Sequence, residues 1–315
     1  MNIFKPEIFQ GKLHSKHYFE GWYFKNVSKN LGSVYSFILG ISLNSKKPHA
    51  FIQVINGITG DTKYIEYPIS KFSFSKDKFE VKVGDSVFSS KYIQLNIDSP
   101  TIKIKGKLEF SEHIKYPSSP LSPGILGWFS FIPFMECMHA VVSISHKIEG
   151  SLEIEGKQID FSDGKGYIEK DWGKSFPESW IWLQSNHFSK SDASIMMSIA
   201  KVPMLGIKFT GYLGFFYYKA EIYTFRSYNG SKLSALSLEK DKLKICFKNR
   251  KIQLDISATL KNSGILLAPK FGEMSREIKE SVNSDLEVKL SDSKGNLIYH
   301  DKASRAGLEI VEGIL

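Results

Sequence analysis

Apolar and polar residues alternate with period two along most of the chain, the pattern of strands buried on one face. In the first half, SVYSFILGISL (33–43), HAFIQVIN (49–56), KFEVKV (78–83), TIKIKGKLEF (101–110), HAVVSIS (139–145) and SLEIEG (151–156) read this way. In the second half, IMMSIA (195–200), YLGFFYY (212–218), KLKICF (242–247), KIQLDISATL (251–260), DLEVKLSD (285–292) and GLEIVEG (307–313) have the same texture. Turn signals such as Asn56-Gly57, Thr59-Gly60-Asp61 and Lys294-Gly295-Asn296 separate them. Many short strands joined by turns predict an all-β chain, a barrel or a sandwich, and the two similar halves are read as two antiparallel barrels. Only REIKESV (276–282), with Ile278 and Val282 four apart, predicts a short helix. The Pro-rich YPSSPLSPGILG (116–127) reads as a break between the halves, and the domains are drawn at 1–150 and 151–315.

Composition adds little except in its aromatics. A hydrophobic fraction of 42% and a charged fraction of 24% are ordinary, whereas 23 Phe and 14 Tyr favour strands and apolar pockets. The net charge of +9 comes from scattered lysines rather than one arm or stripe. With no zinc-finger spacing, basic helix or RNP-like motif, a solvated lysine surface accounts for it and nucleic acid is not an expected partner. Cys137 and Cys246 make no disulfide framework, and Cys137, within FMECMHAVV, reads as a buried thiol. MNIFKPEIFQGK has no apolar stretch long enough for a secretory signal, so the cytoplasm is the expected compartment. LSPGILGWFSFIPFMECMHAVVSIS (121–145) is interrupted by Pro123, Pro133, Glu136 and His139, which argues against a spanning helix. It reads as a loop resting on the inner membrane face, as a lid (121–135) over a pocket, or as a buried crossover.

The densest chemistry lies in GYIEKDWGKSFPESWIWLQSNHF (166–188). If WIWLQSN is a strand, Trp180, Trp182, Gln184 and Asn186 share one face, and Ile181, Leu183 and Ser185 the other. The aliphatic face suits a core; rings with amides suit a ligand cavity, or core whose amides cap a barrel rim. Glu169 and Asp171 point one way and Lys170 the other. Two like charges beside an apolar ring wall raise at least one pKa, which keeps a carboxylic acid protonated for general-acid work. The plainer alternative for Asp171 is a turn, capping backbone N–H groups beside Gly173. In HSKHYFEGWYFK (14–25), Glu20, Trp22 and Phe24 share one face, Phe19 and Tyr23 the other. His14 and His17 lack a second ligand pair, and His139 near Cys137 is equally weak as a ligand, so no metal is expected. There is no G-x-S-x-G elbow, P-loop or G-x-G-x-x-G after a strand. Glu169, Asp171 and Glu20 are therefore the candidate acids. Trp22, Tyr23, Trp172, Trp180, Trp182, Gln184, Asn186 and His139 are the candidate substrate contacts.

FEGWYFK (19–25), GYIEKDWGKSFP (166–177), WIWLQSNHF (180–188) and AGLEIVEG (306–313) together resemble the tocopherol cyclase family, as does residues 135–166 its bacterial members. The resemblance runs from about residue 12 to the C-terminus. It implies a pair of lipocalin-like (calycin) barrels, related in fold to carotenoid hydratases. It also implies cofactor-independent chemistry, in which a proton is added to a trisubstituted alkene of a prenylated quinol and the phenolic oxygen captures the tertiary cation. Aromatic faces stabilise such a cation by roughly 0.5–2 kcal/mol per contact. Glu169 and Lys170 fall on the family's Glu-Lys pair and Trp172 on its Trp. The plant members carry Asn at the position of Asp171, which implies that Glu169 or Glu20 is the better acid. Another prenylated quinone, a carotenoid-like isoprenoid or a lipid is an alternative substrate. A non-catalytic lipocalin-like carrier of a hydrophobic molecule is the alternative of a different class.

Overall fold

The computed structural model describes residues 2–44, 46–132, 135–204 and 207–314. Its strands form two antiparallel sheets. The first is built from β1 (Tyr18–Val27), β2 (Val34–Leu43), β3 (His49–Asn56), β4 (Thr62–Pro68), β5 (Phe72–Phe74), β6 (Glu80–Val83), β7 (Ser86–Ser89), β8 (Tyr92–Asp98), β9 (Lys103–Ile114), β10 (Cys137–Ile154), β11 (Lys157–Asp160) and β12 (Gly164–Gly173). The second contains β13 (Trp180–Ser185), β14 (Ser194–Met204), β15 (Ile207–Tyr218), β16 (Glu221–Arg226), β17 (Lys232–Glu239), β18 (Lys242–Lys248), β19 (Ile252–Thr259), β20 (Gly264–Lys270), β21 (Glu273–Asp292) and β22 (Leu297–Val311). Among the described residues the only helical turns are 3₁₀, at Ile69–Lys71 and Gly127–Phe131, and no helix is long and apolar enough to cross a membrane.

The sheets share one logic. The first runs β4-β3-β2-β1-β12-β10-β9-β8-β7-β6-β5, and its two edge strands, β4 and β5, are joined by the 3₁₀ turn. The second runs β16-β15-β14-β13-β22-β21-β19-β18-β17, and its edges, β16 and β17, are again consecutive in the chain. Bringing the edges together this way removes exposed strand backbone, which is what drives a twisted sheet to close into a barrel. Each sheet encloses its own apolar core. Trp22, Phe24, Phe37, Leu39 and Ile168 belong to the first, and Ile181, Leu183, Ile195, Phe216 and Leu308 to the second.

The chain divides into two compact units: 1–56, 61–176 and 266–277 in the first, and 57–60, 177–265 and 278–315 in the second. The boundary drawn at 150/151 falls inside β10, and the Pro-rich 116–127 lies within the first unit. The alternation breaks after Ser145 because β10 is bulged: its register against β12 shifts between Val141 and Ser143 and again before His146, so one 18-residue strand looks like two in the sequence. REIKESV is also not helical; it lies within β21, whose pairing with β22 overrides the i, i+4 spacing of Ile278 and Val282. Residues 133 and 134 of the expected lid lie outside the described residues.

Strands β1, β2, β3 and β12 are buried on nearly every residue, so in the first unit both faces of the sheet are covered. On the face away from the core, the segment Leu266–Glu277 supplies part of that cover. Gln53 exchanges two hydrogen bonds with the Leu267 backbone at 2.9 and 3.0 Å, and Ser42 donates to the Gly272 carbonyl at 2.7 Å.

Candidate functional site

Strand β12 sorts its charged residues by pleat. Tyr167, Glu169 and Asp171 leave one face; Ile168, Lys170 and Trp172 leave the other. Register then chooses their neighbours. Across β1, Tyr23 stands opposite Glu169 and Gly21 opposite Asp171; across β10, Val141 stands opposite Glu169 and His139 opposite Asp171. Directly opposed residues of an antiparallel pair share a face, so His139, Glu169, Asp171, Tyr167 and Tyr23 converge on the face away from the core.

His139 Nδ1 lies 2.9 Å from Asp171 Oδ1, and its Nε2 lies 3.8 Å from Glu169 Oε2. The Tyr167 hydroxyl donates to Glu169 Oε2 at 2.7 Å, and Ser36 donates to the Tyr23 hydroxyl at 2.9 Å. Exposures of 12% for the His139 side chain and 7% for that of Glu169 make the charges count. Burial by itself pushes the imidazole pKa down, but the charge and hydrogen bond of Asp171, with the charge of Glu169, more than offset it and raise it to about 9. At neutral pH the ring is an imidazolium whose Nδ1–H donates to Asp171. Its Nε2 is buried and has no hydrogen-bond partner. Burial, Glu169 and Asp171 push the Tyr167 hydroxyl well up, and burial, Asp171 and Glu136 do the same to the Cys137 thiol, so both are neutral. One ligand atom each from His139, Glu169 and Asp171 lies within 4.8 Å of the others, close enough to hold a metal ion.

The opposite face of β12 is a different construction. Lys170 Nζ is 2.5 Å from Glu20 Oε1, with both side chains fully buried. It also donates to the carbonyls of Pro6 at 2.7 Å and Ile8 at 2.5 Å, and stands 4.7 Å from the ring centroids of both Trp22 and Trp172. Glu20 in turn accepts from the backbone of Gln10 and Gly11 and from the Tyr18 hydroxyl. Burial pushes the Lys170 ammonium below its ordinary pKa, and Glu20 opposes the shift. Glu20 and Glu169 thus do not meet. The tryptophans expected beside the Glu169 carboxyl flank Lys170 instead, because positions 169 and 170 leave opposite faces; tyrosines and His139 surround Glu169.

Trp180, Trp182 and Gln184 belong to the second unit and do share a face, opposite Ala200, Ser198 and Met196, while Ile181 and Leu183 enter the core. Asn186 is buried just beyond β13. Two acids that sequence reasoning did not single out lie on this face. Glu309, opposite Trp182, accepts a 2.5 Å hydrogen bond from the Trp180 indole, and the fully buried Glu280 stands opposite Glu309. Period-two reading of 276–282 as a strand would have found Glu280. The Trp182 ring lies against Gly307, where a Cβ would fall 2.5 Å from it.

Two antiparallel sheets, each with its edges joined by the chain, define a protein of two lipocalin-like β-barrels. The chain belongs to the tocopherol cyclase-like family, whose sequence pattern matches residues 101–312. Over 198 residues it is 26% identical to the chloroplastic tocopherol cyclase of Zea mays, a match that covers 59% of this chain and 42% of the maize protein. The chain therefore spans less than half the length of this curated relative. Two solved structures share the fold: CghA with Sch210972 (TM-score 0.57, 8% identity, 93% of this chain and 88% of that one), and kievitone hydratase from Nectria haematococca (TM-score 0.52, 12% identity, 97% and 93%).

Proposed function

We propose that the chain is a cyclase- or hydratase-type enzyme that adds a proton to a trisubstituted isoprenoid alkene and joins an oxygen nucleophile to the resulting tertiary carbon. One observation carries this: a His139 ring, 12% exposed, whose Nδ1 lies 2.9 Å from Asp171 and whose buried Nε2 has no hydrogen-bond partner and lies 3.8 Å from Glu169. Family membership and the activity in the maize relative's name support a prenylated quinol as substrate.

An acid with a pKa of about 9 is too weak to liberate a free tertiary cation, so bond formation to oxygen keeps step with proton transfer. The Nε2–H proton goes to the less substituted alkene carbon as the π bond breaks. The phenolic oxygen bonds to the tertiary carbon, and its proton passes to Glu169. That proton then crosses to His139 and restores both groups. Cyclisation leaves the mass unchanged; with water as nucleophile, the same cycle adds one water. Glu169, the acid expected from the sequence, acts here as the base, oriented by Tyr167, and Asp171 fixes the His139 tautomer. Glu20, closed in its ion pair with Lys170, takes no part.

The test is incubation of the purified protein with a prenylated quinol, beside His139→Gln and Glu169→Gln. Each substitution is expected to lower kcat by about 10²–10⁴-fold, with the β-sheet fold retained by circular dichroism. Undiminished turnover in both variants would remove the acid–base pair from the reaction. Substrate recovered intact from the unaltered protein would make the chain a carrier.

A further inference from the structure

We propose that Leu121, Trp128 and Phe131 dock the protein on an anionic lipid bilayer. These side chains are 85%, 47% and 50% exposed, and no other stretch as short among the described residues carries three exposed large apolar groups. Between Tyr116 and Ile132 there is no charged residue.

The segment is built to present them. Ile125 (1% exposed) and Leu126 (5%) anchor its inner side, leaving Trp128 and Phe131 on the outer side of the 3₁₀ turn. The turn is closed by backbone bonds from Phe129 to Leu126 and from Ile132 to Phe129, at 3.2 and 3.0 Å, and by the Ser130 hydroxyl donating to the Pro123 carbonyl at 3.1 Å. Ser119 and Ser122 exchange two backbone bonds of 3.1 Å just before it. Apolar groups held by such a network insert without the entropy loss of ordering a loose loop. Tryptophan and phenylalanine are the side chains that settle at the level of lipid headgroups.

Charge specifies the kind of surface. The exposed Lys115 immediately precedes the segment, and the exposed Lys174 donates its backbone N–H to the Glu136 carbonyl at 2.7 Å, just past the segment's end. Lysines at both ends of an uncharged apolar face, on a chain of net charge +9, suit anionic headgroups. Of the acids flanking the segment in sequence, Glu136 is half-buried and Glu112 is exposed, three residues before Lys115. Docking goes beyond the alkene chemistry and draws on none of the same residues.

The test is co-sedimentation of the full chain with phosphatidylcholine vesicles, with and without phosphatidylserine. Binding is expected to the anionic vesicles, weakened but not abolished by raised salt. The triple variant Leu121→Ser/Trp128→Ser/Phe131→Ser is expected to lower it about tenfold or more without moving the melting temperature. No binding by the unaltered chain, or equal binding by the variant, overturns the docking. So does sedimentation velocity showing that these side chains instead hold two copies of the chain together in lipid-free solution. Turnover of a detergent-dispersed quinol separates this proposal from the enzymatic one: turnover without vesicle binding removes only the docking, and binding without turnover removes only the enzyme.

Discussion

Lys170 and Glu169 are neighbours on β12, yet their side chains enter opposite faces of one sheet and meet different fates. On the core face every donor of the Lys170 ammonium is taken, by Glu20 and by the carbonyls of Pro6 and Ile8, and two indole rings close over it. That cluster ties the N-terminal segment to the barrel. On the other face the His139 ring is held at one nitrogen only, with a second acid nearby but not bonded to it. Buried charge serves structure when its hydrogen bonds are saturated and is available for chemistry when one proton is left over.

The largest effect that separates the faces is on stability. Lys170→Met leaves Glu20 buried without its partner and is expected to cost about 3–5 kcal/mol in denaturant unfolding. Adding Glu20→Leu should restore much of the loss, since an apolar pair replaces a buried ion pair at little net cost. A double variant no more stable than the single would mean that the N-terminal clip depends on Glu20 for more than charge balance.

The second effect comes from pH. The folded pKa of His139 is about 9 against an ordinary 6.5, so folding favours its protonated form. The stabilisation this brings is fully present below pH 6.5 and is lost as pH rises through 9, about 3 kcal/mol at most. His139→Gln should remove that fall from the stability profile, and kcat of the unaltered protein should decline over the approach to pH 9. A stability curve that is the same with and without His139 would show that the imidazolium is not held as described.

The smallest effect expected is none at all. Because His139, Glu169 and Asp171 stand close enough to bind a metal, dialysis against a chelator sharpens the contrast between the faces. Turnover should be unchanged. Turnover lost on dialysis and restored by Zn²⁺ would replace the proton cycle with a metal-held nucleophile.

The alternation of side chains by itself determined the all-β class and which residues travel together: Glu169 with Asp171, Glu20 with Trp22, and Trp180 with Trp182 and Gln184. These groupings are local, because a strand turns every second side chain the same way. Only the tertiary structure decided what each group meets. His139 reaches Asp171 from 32 residues away, through the register of a bulged strand, and the carbonyls of Pro6 and Ile8 reach Lys170 from more than 160. The bulges also hid the continuity of β10, and pairing with β22 turned a helical spacing into a strand. Register and bulge position follow from the fit of whole faces against one another, a non-local quantity that no short window of sequence contains.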